Sequence, residues 1–159
     1  MTKYETAMKL LSERVGNADK DNLISLGTIS LSPSATGTPR PAVRMVNAYY
    51  ENGAFYISSD ARKNKTLEIQ QNSEVAIGGL DWFMAHGTAE NLGWVKDEKN
   101  ADIRAKMKKN FSWFDDHGGE DDPNSIVLKV TIYAGTIIDN EQKYGQWKFE
   151  VDFVNKTAE

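Results

Sequence analysis

The chain has no cysteine among its 159 residues. That excludes disulfides, thiol catalysis and thiolate metal sites, and it permits a reducing compartment. Cations are not in surplus either: 19 Lys and Arg against 23 Asp and Glu give a net charge of -4 and a pI near 5.3. A nucleic-acid or anionic-membrane partner is met by clustered positive charge, so neither is expected. Nowhere do about 18 apolar residues follow one another, and the charged start Met1-Thr2-Lys3-Tyr4-Glu5 lacks the apolar run of a secretion signal. There is no dinucleotide fingerprint, no internal repeat, no low-complexity segment and no conspicuous catalytic acid, base or nucleophile. What is present, 40% hydrophobic and 26% charged residues, suits one compact cytoplasmic domain spanning 1–159 and able to bury a core.

Hydrophobic spacing organises that domain. Tyr4, Ala7, Met8, Leu11 and Val15 recur at helical intervals over 2–15, and Gly16-Asn17 ends the helix. Residues 23–31 read as a strand, followed by a loop rich in Ser, Pro and Gly. Strands over 43–50 and 54–59 flank Asn52-Gly53, a pair suited to a tight hairpin. Helical character returns over 65–71 with Leu67 and Ile69, then strands are expected over 75–79 and 82–90, the latter interrupted by Gly87. Residues 97–110 form a helix that is acidic at its start and basic at its end, matching the macrodipole. Late strands are expected over 125–132, 136–138 and 146–153. Several short antiparallel strands with peripheral helices predict a mainly β fold, a closed or nearly closed barrel over about 22–138, with 139–159 as a last strand or tail.

One stretch concentrates phosphate ligands. Arg44 opens an apolar strand with Met45 and Val46, the next strand ends in Ser58-Ser59, and Arg62-Lys63-Asn64-Lys65 follows. Arginine offers a planar fork to phosphate oxygens, hydroxyls add single bonds, and a helix opening near Lys65 would add unpaired N–H groups. The expected ligand is a phosphorylated cofactor.

The order of elements, and the residues on it, resembles the pyridoxamine 5'-phosphate oxidase-like group, the FMN-binding split β-barrels. That group's flavin strand reads R-x-V-L-L-K, and here the run is Arg44-Met45-Val46-Asn47-Ala48-Tyr49. Tyr56-Ile57-Ser58-Ser59 stands at its next strand, Lys65 at its lysine, and Gly87 and Glu90 at its G-x-x-E, over roughly residues 20 to 138. The resemblance implies a six-stranded antiparallel split barrel. It also implies that Arg44, Lys65 or its neighbour Lys63, and Ser58 or Ser59 hold the FMN phosphate, while backbone groups of Met45, Val46 and Asn47 meet the polar edge of the isoalloxazine. The flavin would carry hydride or electron transfer from a reduced nicotinamide to a small-molecule acceptor, with no catalytic residue or metal assigned. A homodimer with the cofactor at the subunit interface is implied.

The chain departs from that pattern in places. Trp82 replaces a glutamine and Tyr49 replaces the closing lysine. Tyr144-Gly145-Gln146-Trp147-Lys148-Phe149 has no counterpart of the arginine-leucine-histidine segment that serves substrate recognition in pyridoxamine phosphate oxidases. Vitamin B6 oxidation is therefore not expected, and the chain is more similar to the general-stress-protein relatives. A non-catalytic flavin or haem carrier is the alternative to an oxidoreductase, with FAD or deazaflavin as other occupants. Read singly, Arg44 is a surface arginine and the basic run 62–65 a solvated turn. His86 reads as a structural histidine, the stretch Asp115 to Asp122 around His117 as a mobile acidic loop, and Trp113 and Phe114 as core or as cover for the cofactor cleft.

Overall fold

A computed structural model describes the backbone of residues 1–159 and the side chains of all but 79 and 80. Helix α1 (Lys3–Val15) starts from a capping box in which Thr2 accepts from the Glu5 N–H and Glu5 accepts from the Thr2 N–H. The strands are β1 (Asn22–Ile29), β2 (Pro41–Glu51), β3 (Ala54–Asp60), β4 (Glu74–Leu80), β5 (Phe83–Trp94), β6 (Ser125–Ile138), β7 (Lys148–Asp152) and β8 (Thr157–Ala158). Between them lie α2 (Asn64–Gln71), a 3₁₀ turn at Glu98–Asn100, α3 (Ala101–Asn110) and the one-turn α4 (Phe114–His117).

The sheet runs β3-β2-β1-β4-β5-β6-β7-β8, and a further β3–β6 pairing closes the first six strands into an antiparallel barrel. The expected mainly β split barrel is therefore present. Asn52 and Gly53 both adopt positive φ, as a two-residue hairpin between right-twisted strands requires. The barrel interior is filled by Ile24, Leu26, Val46, Ala48, Phe55, Ile57, Ile77, Ala85, Leu128 and Val130. A second cluster, Tyr49, Val95, Met107, Phe111, Phe114 and Val127, packs α3 and α4 on the outside.

Three expectations need correction. The two late strands are one, β6, because β5 pairs along it from Ile126 to Ile137, β7 pairs with Ala134 to Ile138, and a register shift at His86/Gly87 absorbs the irregularity. A side chain at Gly87 would meet the Thr131 carbonyl at 2.7 Å, which explains the glycine. The helix expected over 97–110 breaks at Asn100, whose side chain donates to the Leu92 and Trp94 carbonyls and turns the chain. The acidic stretch is not loose: Arg104 forks onto Glu120, Lys108 reaches Asp115, Lys96 reaches Asp121 and Arg62 reaches Asp122. The Arg104 contacts hold the Glu120 carboxyl down at about 2.

Candidate binding site at the split end of the barrel

β2 and β3 pair only from Ala48↔Ile57 to Glu51↔Ala54, although β2 begins at Pro41 and β3 continues to Asp60. Beyond Ala48 each follows its other neighbour, β2 staying with β1 and β3 with β6. The strands part, and the β3-facing edge of residues 41–47 has no strand partner. Backbone groups on such an edge must be satisfied by water or by a ligand.

Helix α2 lies at this end. Its N-cap, Lys63, is extended and makes no side-chain cap, while the Thr66 and Leu67 N–H groups return to the Lys63 carbonyl. The N–H groups of Asn64 and Lys65 find no protein acceptor among the described residues. An eight-residue helix thus presents two unsatisfied donors and its positive dipole end. Around them, Arg44, Arg62, Lys63, Asn64 and Lys65 line one hollow of about 420 Å³. Ser58, Ser59, Lys63 and Lys65 line a neighbouring hollow of about 340 Å³ with Trp113 and His117. Lys63 and Lys65 border both.

Charge is unevenly compensated here. Arg62 is committed to Asp60, at 2.8 Å, and to Asp122, at 3.0 Å. Lys63 and Lys65 have no carboxylate within ion-pair distance among the described residues. Burial pushes the Lys65 ammonium below its usual range, and the nearby positive charges of Arg44 and Lys63 push it the same way. An anion placed among them would relieve all three. A perturbed lysine crowded by two further cations marks a candidate functional site.

Arg44 is less free than its position in the sequence suggests. Its Nη2 donates to Glu68 Oε1 at 2.6 Å, and its Nη1 donates to Thr28 Oγ1 at 2.6 Å and to the Leu26 carbonyl at 3.2 Å. Thr28 in turn donates to Glu68 at 3.0 Å. Glu68 is 5% exposed, so this is a nearly buried network at the mouth of the barrel. It fixes the guanidinium plane with the Nε–H and part of Nη2 uncommitted. Arg44, Lys63 and Lys65 outnumber Glu68 by two, and Arg62 with Asp60 and Asp122 takes one charge back, so the group as a whole is net positive and suited to an anion such as a phosphate monoester.

The remaining expected residues are distributed along the split. Ser59 Oγ lies 3.0 Å from Thr66 Oγ1, whose own proton goes to the Asp60 carbonyl, so Ser59 donates to Thr66 and keeps only acceptor capacity. Ser58 borders the hollow with Trp113. Val46 points into the core, whereas Met45 points outward and is 50% exposed. Asn47 donates to both oxygens of Asp21, at 3.0 and 3.2 Å, which leaves its carbonyl oxygen unengaged. The donor set fits a phosphorylated, planar cofactor such as FMN: cations and helix N–H groups at one end, an unpaired strand edge alongside.

Of the other residues, His86 faces outward on β5 with its ring beside Tyr133, away from the split. Phe114 is core, and Trp113 stacks on Phe111 at 5.0 Å while bordering the Ser58 hollow. Glu68, Thr28 and Asp21 escaped the sequence reading. A carboxylate between Leu67 and Ile69 was the available signal, since Glu68 and Ile69 face inward while Leu67 is 37% exposed.

No family model matches the chain, and no curated protein does. Solved structures do. A Clostridium acetobutylicum protein related to general stress protein 26, of the pyridoxinephosphate oxidase family, superposes with a TM-score of 0.60 at 15% identity, covering 96% of each chain. A NimC/NimA family protein from the same organism gives 0.59 at 19% identity over 88% of this chain and 92% of its own. An F420 reductase gives 0.53 at 13% identity over 74% and 91%. At these identities the likeness is one of fold, and the fold is that of the pyridoxamine 5'-phosphate oxidase-like split barrels.

Proposed function

We propose that this split barrel binds FMN at the parting of β2 and β3 and works as a flavin-dependent oxidoreductase, taking electrons from a reduced nicotinamide and passing them to a small acceptor. The observation that carries the reading is the net positive group Arg44, Lys63 and Lys65 around the open start of α2, beside a strand edge that lacks a strand partner among the described residues. In it Arg44, held by Glu68 and Thr28, grips the phosphate together with Lys65, Lys63 and the N–H groups of Asn64 and Lys65. Ser58 completes the shell, and Ser59 joins it by turning its proton from Thr66 to the phosphate. The backbone of Met45, Val46 and Asn47 meets the polar edge of the ring. Bound FMN supplies the redox chemistry, and the chain's residues bind, orient and shield it.

The proposed assembly is a homodimer. Leu23, Val43, Met45 and Met84 are exposed on one outer face of the barrel, with the small residues Gly27, Ala76 and Gly78 between them in register. This apolar patch, interrupted by Ser25 and bordered by Asn47 and His86, suits a second copy of the chain, which would bury it and wall the cofactor. A cytoplasmic setting goes with the reading; no helix among the described residues is long and apolar enough to cross a membrane.

The test is titration of the purified protein with FMN, followed by absorbance and flavin fluorescence. Saturable binding at one FMN per chain is expected, and NADH or NADPH oxidation by the loaded protein identifies an oxidoreductase. A protein that stays colourless and leaves FMN fluorescence unchanged refutes the reading; bound FMN without turnover across several acceptors identifies a carrier.

A further inference from the structure

A cavity of about 620 Å³ lies at the other end of the barrel from α2. Its floor is apolar and aromatic: Tyr4 and Met8 from α1, Tyr50 from β2, Ile132 from β6 and Phe153 after β7. Its rim carries Lys9 and Lys156 together with the neutral polar side chains of Ser12, Asn17 and Asn52, and no acidic residue lines it among the described residues. Neither lysine has a carboxylate within ion-pair distance among the described residues, and the nearby Glu13 is taken by Lys143 at 3.1 Å. A volume of this size, an apolar body and a few cations at the mouth are what a small-molecule site requires.

The walls are rigidly built. Asp152 accepts from the N–H groups of Val154 and Asn155 and from the Asn155 amide, which locks the turn that carries both Phe153 and Lys156. Lys156 is held at φ 57, a conformation that a lysine adopts only when its surroundings impose it. On the opposite wall α1 is fixed at its start by its capping box and at its end by Arg14, which donates to the Ile138 carbonyl at 2.9 Å. The rings of the floor are therefore positioned before any ligand arrives, which lowers the entropic cost of binding, while Lys9 Nζ lies at the rim over the Tyr144 ring at 5.4 Å.

We infer that this cavity is a second binding site, independent of the split, for a small amphipathic anion: an aromatic or short aliphatic body on the Tyr4, Tyr50 and Phe153 floor, with a carboxylate or sulfonate head between Lys9 and Lys156. The probe is 1-anilinonaphthalene-8-sulfonate, with uncharged N-phenyl-1-naphthylamine as its neutral counterpart. Saturable fluorescence enhancement at one dye per chain is expected with the sulfonate, about ten-fold weaker binding with the neutral dye, and about ten-fold weaker sulfonate binding in the Lys9→Glu, Lys156→Glu double variant. Both lysines are exposed, so that variant keeps the fold, which circular dichroism checks. Met8→Trp, which fills the floor, weakens both dyes. The inference is overturned if the sulfonate does not bind, if the double variant binds it as tightly as the parent does, or if the neutral dye binds as tightly as the sulfonate. It is also overturned if saturating FMN displaces the dye, which would put the dye at the split instead.

Discussion

The two ends of the barrel are closed by helices of opposite character. At one end α1 turns Ala7, Leu10, Leu11 and Val15 inward, all at most 2% exposed, and its packing is chiefly apolar, with Arg14 in its last turn reaching the Ile138 carbonyl and the buried Asp139. At the other, α2 turns Thr66, Glu68 and Ile69 inward and meets Arg44 and Thr28. A carboxylate buried at a barrel mouth is a poor choice for stability, because its desolvation offsets most of what the ion pair contributes. The contrast teaches that apolar burial dominates the α1 end, where the Arg14–Asp139 pair lies at the edge, while at the α2 end the ion pair sits at the centre of the packing, and that the two can be perturbed separately.

The largest effect is expected where charge and fold meet. Arg44→Ala strands the Glu68 carboxylate and removes a phosphate donor, so denaturant unfolding should show a loss of about 3 kcal/mol and FMN titration a loss of about 1.5 to 3 kcal/mol. Unchanged FMN affinity would break the proposed division of labour. Leu11→Ala should cost about 3 kcal/mol of stability through a cavity under α1, with FMN affinity in the surviving folded protein unaltered. A matching fall in affinity would show that the two ends are coupled.

Lys65→Met should weaken FMN by about 1.5 kcal/mol. It should also remove a pH dependence whose sign follows from the burial of this residue. The ammonium titrates below its usual range in the free protein, and a bound phosphate raises it again, so binding takes up a proton. Affinity of the parent therefore falls as the pH rises through the depressed value, and the same titration in Lys65→Met should stay flat there. The smallest effect belongs to Tyr49, whose buried hydroxyl has no hydrogen-bond partner among the described residues and whose ionisation is pushed far up by burial. Tyr49→Phe keeps the stack on Tyr56 at 4.8 Å and removes the stranded hydroxyl, so stability should stay level or rise by up to about 1 kcal/mol in thermal unfolding.

The helix of 2–15, the Asn52-Gly53 hairpin and the alternating strands were legible because they rest on local rules: capping, turn chemistry and hydrophobic period. The clustering of Arg44, Ser58, Ser59, Lys63 and Lys65 could be anticipated from two adjacent strands and a turn, and the split hollows do bring Arg44, Lys63 and Lys65 together and Ser58 and Ser59 beside the same lysines. The continuity of β6 was not legible, since a bulge in β5 has no signature in β6 itself. Nor was the Arg44–Thr28–Glu68 network, whose members lie up to 40 positions apart in the sequence.

By itself the sequence determined the periods, the turns, the absence of thiol chemistry and the set of cations available for an anion. Only the tertiary structure decided which of those cations remain uncompensated, where β2 leaves β3, and that the wall opposite the split holds a second hollow. Local propensity is read from neighbours along the chain. Charge compensation and cavities depend on distances between residues far apart in it, and those exist only once the barrel has closed.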